Sequence, residues 1–228
     1  MTSNSTFPKR LTKIDDLTRP DHYHLTVDDT CYYIGEYTAR EGYAFSATNQ
    51  LIYNLKKSVL VRGQVQWEYK EQAIKQAASA LRDALNNDAL NAVTFVPIPP
   101  SKSKSDPLYD DRLYRVLHTI RPNPTLDIRE LILQKNSMEA VHLNEKRLSP
   151  DDLKECYEID ENLIEPLPNN IILFDDVITT GSHFKAAKNI LCEIFPNANI
   201  LGLFLARRVP ETIDIEDIFS GFFNKDQD

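Results

Sequence analysis

The amino-acid sequence predicts an α/β protein, with a largely parallel central sheet that is flanked by helices. Runs of apolar and β-branched residues with the length of strands alternate along the chain with amphipathic helical periods. Two of these runs, IILF (171–174) and NILGLFLARR (199–208), have the apolar character of strands that are buried on both faces. Alternation of this kind is typical of a layered fold in which the sheet is mostly parallel.

The first half of the chain supplies two strands and two helices to this fold. CYYIGEY (31–37) predicts the first strand, and AVTFVPIP (92–99) predicts another that prolines interrupt. Between them, residues 46–57 predict a helix with Ser46 as its N-cap, and residues 67–87 predict a longer helix. The apolar stripes of these two helices contain Leu51, Ile52, Leu55, Trp67, Ile74, Ala77, Ala78, Leu81 and Leu85.

The second half continues the alternation. DDRLYRVLHTI (110–120) predicts a short amphipathic helix, and DIRELILQK (127–135) predicts a further strand. A polar stretch without a clean period follows, until Ser149 and Pro150 mark the N-cap and first turn of another helix. The last predicted helix ends before Pro196. The apolar stripes here contain Leu113, Val116, Leu117, Ile120, Phe184, Ala187, Leu191, Ile194 and Phe195.

Length and composition indicate one sizeable globular core. The chain has 228 residues, 42% of them hydrophobic, and no apolar run reaches the about 18 residues that span a bilayer. The N-terminal MTSNSTFPKRLTKIDD lacks the apolar centre of a secretion signal, so we expect a cytoplasmic protein without a membrane partner. We divide the chain into a loosely held N-terminal extension (1–30), one domain (31–210) and an acidic C-terminal tail (211–228).

Cysteine usage and charge argue against several kinds of site. Cys31, Cys156 and Cys192 are far apart and form no group with metal-ligand spacing, so we expect them to be reduced and structural. Acidic residues outnumber basic residues by 34 to 26, which gives a net charge of −8 and argues against generic binding to a nucleic-acid backbone. Direct nucleic-acid binding is therefore not expected.

The segment IILFDDVITTGSH (171–183) carries the clearest functional pattern. Its apolar strand runs into Asp175 and Asp176, and in a parallel sheet ligands bind at the carboxyl ends of the strands. Two adjacent like charges repel each other, so a site that keeps both usually binds a cation, a set of hydroxyl donors, or both. The hydroxyls, the glycine and the helix start that follow outline a phosphate cradle, formed by Thr179, Thr180, Gly181, Ser182 and His183.

A ribose 5-phosphate would satisfy both halves of this pattern, because it carries a phosphate and vicinal hydroxyls. Three other interpretations compete with it. A P-loop ATPase would need a G-x-x-x-x-G-K pattern, which the six glycines do not form. A phosphoryl-aspartate receiver or phosphatase would place its acid near the first strand, with a lysine later in the chain, and this is not evident. The plain alternative, a strand that ends in solvated acids before a capped helix, stays open.

At this point the sequence resembles a known family. Residues 171–183 match the signature of the type I phosphoribosyltransferases, which bind 5-phosphoribosyl 1-pyrophosphate (PRPP). The resemblance implies that Asp175 and Asp176 hold the ribose 2- and 3-hydroxyls and, indirectly or through water, Mg²⁺, while residues 179–183 wrap the 5-phosphate. The order of segments is similar to that of the competence-protein ComF branch, without its N-terminal zinc module, since Cys31 is the only cysteine before Cys156.

The other half of PRPP needs a pyrophosphate site. When pyrophosphate leaves, negative charge builds on it, so magnesium and fixed cations assist its departure. The loop after the 92–99 strand, which we expect to lie beside the Asp175 strand, supplies Pro100, Ser101, Lys102, Ser103 and Lys104. Arg112 could add a bidentate phosphate contact. A solvated turn, and an ion pair of Arg112 with Asp110 or Asp111, remain as alternatives.

The segment of about 135–157 has the position of the mobile hood that closes over PRPP in related enzymes. Closure would exclude water, which competes for the ribosyl cation. The candidate functional residues of this segment are His142, Lys146 and Arg147. We group Arg147 with the two aspartates as catalytic. Lys56 and Lys57 end a helix. The helix dipole favours cations at this end, so it accounts for the two lysines as well as a functional role would.

The leading hypothesis is an enzyme that transfers phosphoribose from PRPP, with magnesium, to an unidentified nitrogen acceptor. Purine-salvage members of the family commonly carry a third acid where this sequence has Thr179, which disfavours hypoxanthine or guanine as the acceptor. The alternative is a PRPP- or nucleotide-sensing protein that binds without turnover and acts through a protein partner in DNA uptake, regulation or defence. Fold alone does not separate the two, and a homodimer is compatible with either.

Overall fold

A computed structural model describes residues 6–138 and 148–210, which form a six-stranded sheet with helices on both faces. The strands are β1 (Thr12–Lys13), β2 (Cys31–Thr38), β3 (Thr94–Pro97), β4 (Asp127–Ile128), β5 (Ile132–Gln134), β6 (Tyr157–Ile159), β7 (Asn170–Ile178) and β8 (Asn199–Val209). The sheet order is β1-β2-β8-β7-β3-β4, and only β1 pairs in the antiparallel sense. β5 and β6 form a separate antiparallel pair. The predicted α/β class with a mostly parallel sheet is confirmed.

The helices follow the local signals of the sequence. They are α1 (Ala47–Leu55), α2 (Val65–Ala84), α3 (Asn87–Asn91), α4 (Arg112–Ile120), α5 (Pro150–Cys156) and α6 (Ser182–Ile194). The predicted N-caps are confirmed: the Ser46 side chain accepts the N–H of Asn49, and Ser149 forms a capping box with Asp152. In the described part of the chain, every helix is too short or too polar to cross a bilayer.

The sheet separates two hydrophobic cores, because successive side chains of a strand point to opposite faces. Along β7, the buried Ile171 and Leu173 belong to one core, while the buried Ile172 and Phe174 belong to the other. The first core packs the sheet against α5 and α6, and the second packs it against α1, α2 and α4. β7 therefore contributes buried side chains to both cores.

The predicted elements agree with the structure except at one strand. The predicted apolar stripes are buried, apart from the partly exposed Trp67, Leu85 and Ile194. The single strand predicted over 127–135 is wrong, because this segment splits into β4 and β5 in two different sheets. The chain leaves the main sheet at Arg129, whose buried guanidinium bonds to Asp127 and to three carbonyls of the 163–166 segment. A buried guanidinium needs these acceptors, and they lie off the path of the strand.

Residues 6–30 pack against the domain, so the expectation of a loosely held N-terminal extension is wrong for this described part. β1 pairs with β2, and Phe7, Ile14 and Leu25 are buried in the two cores. A few apolar side chains anchor this otherwise polar segment in the cores, and its overall composition does not predict that they do so.

An ion-pair cluster ties the end of this N-terminal segment to α6. Asp29, whose side chain is fully buried, lies 2.6 Å from the ammonium groups of both Lys185 and Lys188. The N–H of Thr26 donates to the same carboxylate at 2.8 Å. Burial opposes the ionisation of Asp29, but these partners outweigh burial and lower its pKa to about 2. The segment is therefore fixed to the helix that follows the aspartate pair.

The carboxyl ends of β3 and β7 meet where the strand order reverses. From β3 the chain passes through α4 to β4 on one side, and from β7 it passes through α6 to β8 on the other. α4 and α6 pack in different cores, so the two crossovers diverge across the sheet. The predicted adjacency is confirmed, since Pro97 of β3 pairs with Phe174 of β7. A crevice of this kind is the usual ligand site of a parallel α/β sheet.

Replacing Asp29 with asparagine should lower the free energy of unfolding at neutral pH by about 2 kcal/mol, because its pKa falls from 3.8 to about 2 on folding. A carboxyl whose pKa is lowered stabilises the fold above its unfolded pKa, and this contribution is lost as the pH falls through its folded pKa. Denaturant unfolding should therefore show a difference between wild type and Asp29→Asn that shrinks below about pH 4. A difference that does not change with pH would contradict this assignment, and Asp28→Asn at the exposed neighbour is the control.

Candidate functional site

Asp175 and Asp176 lie near the carboxyl end of β7, just beyond the last residue that pairs with β3. Because they are adjacent on a strand, their side chains point to opposite faces of the sheet. Asp175 continues the row of Leu173 on the α6 face, and Asp176 continues the row of Phe174 on the α1 and α4 face. The family resemblance implies that the two carboxylates together hold one ribose diol. The structure instead directs each carboxylate to a different helix layer.

Asp176 is buried and contacts two cations. Arg112 donates from Nε and Nη2 to Oδ2 at 2.9 and 2.7 Å, and Lys56 Nζ lies 2.9 Å from Oδ1. Burial opposes the ionisation of this carboxyl, but Lys56 and Arg112 outweigh burial and hold the pKa of Asp176 well below its usual range. Both oxygens of Asp176 are therefore engaged by protein side chains.

A charge network connects this carboxylate to three helices. Arg112 Nη1 donates to Asp110 Oδ2 at 3.0 Å, and the same oxygen accepts a 2.7 Å hydrogen bond from Lys70 Nζ. Lys70 is completely buried, and its ammonium also donates to the carbonyls of Leu55 and Lys57. Three acceptors thus satisfy the three N–H bonds of a buried charge. The members of the charge network are Lys70, Asp110, Arg112, Asp176 and Lys56.

Asp175 has a different environment from its neighbour. Its Oδ1 accepts the N–H of Asp176 at 2.7 Å, and its side chain contacts no cation among the described residues. Burial, and then the charge of Asp176, raise the pKa of Asp175 above its usual value. A carboxyl of this kind is suited to a cation or a hydroxyl donor that arrives with a ligand.

The turn after β7 depends on Gly181. This residue has a φ of 84°, and a Cβ at this position would lie 3.0 Å from Leu25 Cδ2, so both the conformation and the space require glycine. Helix α6 begins at the next residue, Ser182, and the first N–H groups of a helix have no helical partner. The turn therefore presents free backbone donors beside the aspartate pair.

The N-terminal segment holds this turn in place. The N–H of His24 donates to the carbonyl of Thr180 at 3.0 Å, and His22 Nδ1 donates to the carbonyl of Thr179. Burial lowers the pKa of His22, so its ring is neutral and the proton lies on the nitrogen that faces the carbonyl. A segment that was expected from its sequence to be loosely held thus supports the predicted phosphate loop.

A cleft of about 430 Å³ lies in front of the turn, and we call it the phosphate cleft. Four residues of the predicted cradle and two arginines line it: Thr179, Thr180, Ser182, His183, Arg40 and Arg208. Hydroxyls, helix-start N–H groups and guanidinium groups are the donors that bind phosphate in proteins. The two aspartates lie outside this lining. The structure therefore gathers four residues of the predicted cradle around one cleft, and neither carboxylate is part of its lining.

His183 enters the phosphate cleft as a neutral donor. Burial lowers its pKa to about 4, and the Tyr157 hydroxyl lies 2.7 Å from its Nδ1. Burial also raises the pKa of Tyr157, so the hydroxyl keeps its proton and can donate to Nδ1. In the tautomer that accepts this bond, Nε2 carries the proton of His183 and can donate to an anion.

The predicted pyrophosphate loop is present after β3, but its two lysines contact other acids and not the aspartates of β7. It contains Pro100, Ser101, Lys102, Ser103 and Lys104. Both lysines face acids, since Lys104 Nζ lies 2.8 Å from Glu130 and Lys102 Nζ lies 3.9 Å from Asp106. Of the residues predicted for the pyrophosphate, Arg112 alone contacts an aspartate of β7. The alternative of an Arg112 ion pair is realised, and Asp110 is one of its two partners.

The predicted hood is described only in part. Arg147, the predicted catalytic residue of the hood, lies outside the described residues, as do His142 and Lys146. The C-terminal tail (211–228) also lies outside them. The described flanks of the hood segment form β5, α5 and β6, and their closing motion stays a prediction.

Magnesium binding at the aspartate pair also stays a prediction. Among the described residues, no group of three or more His, Cys, Asp or Glu side chains is placed to hold a metal ion. Mg²⁺ usually takes one or two protein carboxylates together with phosphate oxygens of its ligand, so a larger cluster is not needed. Asp175 offers one such carboxylate, whereas Asp176 already contacts two cations.

Four residues of the site were not found from the sequence, namely Arg40, Lys70, Tyr157 and Arg208. Lys70 did leave a signal, because it lies on the apolar stripe of α2 between Trp67 and Ile74, where a charge needs buried partners. Arg40, Tyr157 and Arg208 left no such signal. The partner of Tyr157 is His183 in a distant segment, and Arg208 reaches the phosphate cleft from the end of β8.

No protein-family model matches the sequence, and no curated protein matches it. The site is therefore interpreted from its own geometry. It combines a cleft lined by hydroxyls and guanidinium groups, a carboxyl whose pKa burial raises, and a second carboxylate that contacts two cations. These groups suit a ligand that carries both phosphates and hydroxyls.

Replacing Lys70 with methionine should lower the free energy of unfolding by roughly 3–5 kcal/mol, because it removes one partner of a buried ion pair and leaves the others unsatisfied. Urea unfolding followed by circular dichroism would measure the change. Lys75→Met on the exposed side of the same helix is the matched control and should change stability by less than about 0.5 kcal/mol. Equal effects of the two substitutions would show that the charge network does not stabilise the fold.

Proposed function

We propose that this protein has a type I phosphoribosyltransferase-like fold, binds PRPP with Mg²⁺ and transfers its phosphoribosyl group to a nitrogen acceptor, releasing pyrophosphate. The observation that carries the proposal is the Gly181 turn. It follows the strand that bears the two aspartates, and the first residues of α6 after it line the phosphate cleft. This junction lies at the crevice where the strand order reverses. Within the superfamily, the order of segments favours a relation to the ComF branch.

The 5-phosphate is expected in the phosphate cleft. The free N–H groups and the dipole at the start of α6 favour an anion there. The hydroxyls of Thr180 and Ser182, which lie 3.2 Å apart, and Nε2–H of His183 add neutral donors. Arg208 lines the cleft and forms no ion pair with any described residue, so its charge is available to the ligand.

Lys56 and Arg112 are expected to receive the pyrophosphate. They bind the carboxylate of Asp176, and pyrophosphate oxygens are acceptors of the same kind. An exchange of these contacts would free Asp176 for a ribose hydroxyl. In the transfer itself, the acceptor nitrogen forms a bond to C1 while the C1–O bond breaks and its electron pair leaves with pyrophosphate. The two cations would stabilise the charge that develops there.

Asp175 is the residue that would hold Mg²⁺, directly or through water. Its side chain contacts no cation among the described residues, and a bound cation favours the ionised form of a carboxyl whose pKa burial has raised. Bound Mg²⁺ would supply additional positive charge to the leaving group. The exposed Thr179 offers no carboxylate base at the position where purine-salvage enzymes carry an acid.

The direct test is to incubate the protein with PRPP, Mg²⁺ and a panel of nitrogen acceptors, and to measure pyrophosphate. The proposal predicts release that depends on one class of acceptor. Tight PRPP binding with no acceptor-dependent release would favour the alternative, a PRPP- or nucleotide-sensing protein that acts through a partner. If the protein neither binds PRPP nor releases pyrophosphate, the enzyme hypothesis and the sensing hypothesis are both contradicted.

Asp175→Asn should weaken the binding of magnesium-PRPP at least tenfold in calorimetry. A hydrogen bond to a charged group contributes about 1.5–3 kcal/mol, and about 1.4 kcal/mol corresponds to a factor of ten in affinity. Asp88→Asn is the control, because Asp88 is exposed on α3, which precedes β3 at the opposite end of the sheet. Unchanged affinity in Asp175→Asn would refute the role of this carboxyl.

Lys102→Ala should weaken binding of PRPP more than binding of ribose 5-phosphate, since the second ligand lacks the pyrophosphate. Lys102 Nζ contacts its acidic neighbour loosely, at 3.9 Å, whereas Lys104 Nζ lies 2.8 Å from its acid. Lys104 is therefore less available to a ligand, and Lys104→Ala should have the smaller effect. Titration of each variant with both ligands would measure the difference. Equal losses for the two ligands would remove Lys102 from the pyrophosphate site.

A further inference from the structure

A second cleft, of about 380 Å³, lies beside the charge network at the end of α1. Its polar and aromatic lining consists of Tyr37, Tyr53, Lys56, Lys57, Ser58 and Gln66. We propose that this cleft, here called the acceptor cleft, binds a planar nitrogen heteroaromatic compound that carries a carboxylate, and that this compound is the acceptor. The inference rests on the proposed function, because it names the second substrate of the same site.

The acceptor cleft touches both halves of the proposed PRPP site. Tyr37, near the end of β2, lines the acceptor cleft and the phosphate cleft alike. Lys56 lines the acceptor cleft, and its ammonium binds Asp176. A ligand in this cleft would therefore lie next to the strand end on which the ribose is expected. Its volume falls within the roughly 300–1,000 Å³ that is usual for small-molecule sites.

The charge of the acceptor cleft selects an anion. No acidic residue of the described part of the chain lines it, although the protein carries a net charge of −8. Lys56 is neutralised by Asp176, but Lys57 forms no ion pair with any described residue. The ammonium of Lys57 lies 4.4 Å from the ring centroid of Tyr53 and 5.8 Å from that of Tyr69. It is held by aromatic faces and remains able to bind a carboxylate.

The aromatic side chains of the acceptor cleft suit a flat ring. Tyr53 is 55% exposed, and its ring centroid lies 5.6 Å from that of Tyr43, which is exposed to a similar degree. A heteroaromatic ring that stacked on Tyr53 would place a ring substituent near Lys57. The hydroxyl of Ser58 and the amide of Gln66 add neutral partners for ring nitrogens and carbonyls. One ligand class, a planar heteroaromatic carboxylate, uses all of these groups.

Matched ligand pairs test the inference on the whole protein. Pyridine-3-carboxylate is compared with pyridine-3-carboxamide, and a pyrimidinedione carboxylate is compared with the unsubstituted pyrimidinedione, in equilibrium binding without PRPP. In at least one pair the acid should bind ten or more times more tightly than the neutral ring. Lys57→Gln should reduce that preference below threefold, and the exposed Lys75→Gln should leave it unchanged. Tyr53→Ala should weaken both members of the pair.

Three results would overturn the inference. They are equal or undetectable binding within both pairs, an acid preference that survives Lys57→Gln, and competition by inorganic pyrophosphate for the same cleft. Magnesium-PRPP affinity is measured on the same samples to separate the two proposals. Loss of PRPP binding with a retained, Lys57-dependent acid preference would refute the proposed function and leave the ligand class of the cleft standing. Intact PRPP binding without any acid preference would refute the acceptor cleft alone.

Discussion

The paired hydrogen bonds from Arg112 to Asp176 are the contact on which the rest of the site depends. They join the first turn of α4 to the end of β7, and Lys70 behind them joins α2 and the last carbonyls of α1 to the same cluster. Buried charges are stable only when each one has its partners, so these helices cannot shift independently of the strand end. The packing of one whole face of the sheet is thereby coupled to one carboxylate.

The alternation of side chains along β7 divides the candidate site between the two faces of the sheet. On one face, Asp175 lies on the same side as α6 and the Gly181 turn, which offers neutral and backbone donors. On the other face, Asp176 contacts Lys56 at the end of α1 and Arg112 in α4. A ligand that extends across the strand end would therefore meet phosphate donors on one side and exchangeable cations on the other. This division explains how two adjacent acids can have pKa values shifted in opposite directions.

Residues outside the signature segment hold that segment in shape. His22 and His24 bond to the carbonyls of the predicted phosphate loop, and Leu25 fills the space that a side chain at Gly181 would need. Asp29 then fixes this support to α6 through two lysines. A binding loop needs such a supporting layer to keep its donors in one geometry. The N-terminal segment is therefore part of the site, although it supplies none of the predicted ligand contacts.

The sequence by itself determined the strand and helix order, the N-caps at Ser46 and Ser149, and the loop that surrounds Gly181. These features follow from periodicity, capping and backbone conformation, which act between residues close together in the chain. It also placed the turn of residues 179–183 at the end of a strand, as the structure has it. Only the tertiary structure decided that 127–135 splits between two sheets, that the two aspartates face apart, and that Lys70 lies beneath Arg112. Those outcomes depend on buried charges that find partners far away in sequence, and local patterns carry no information about such partners.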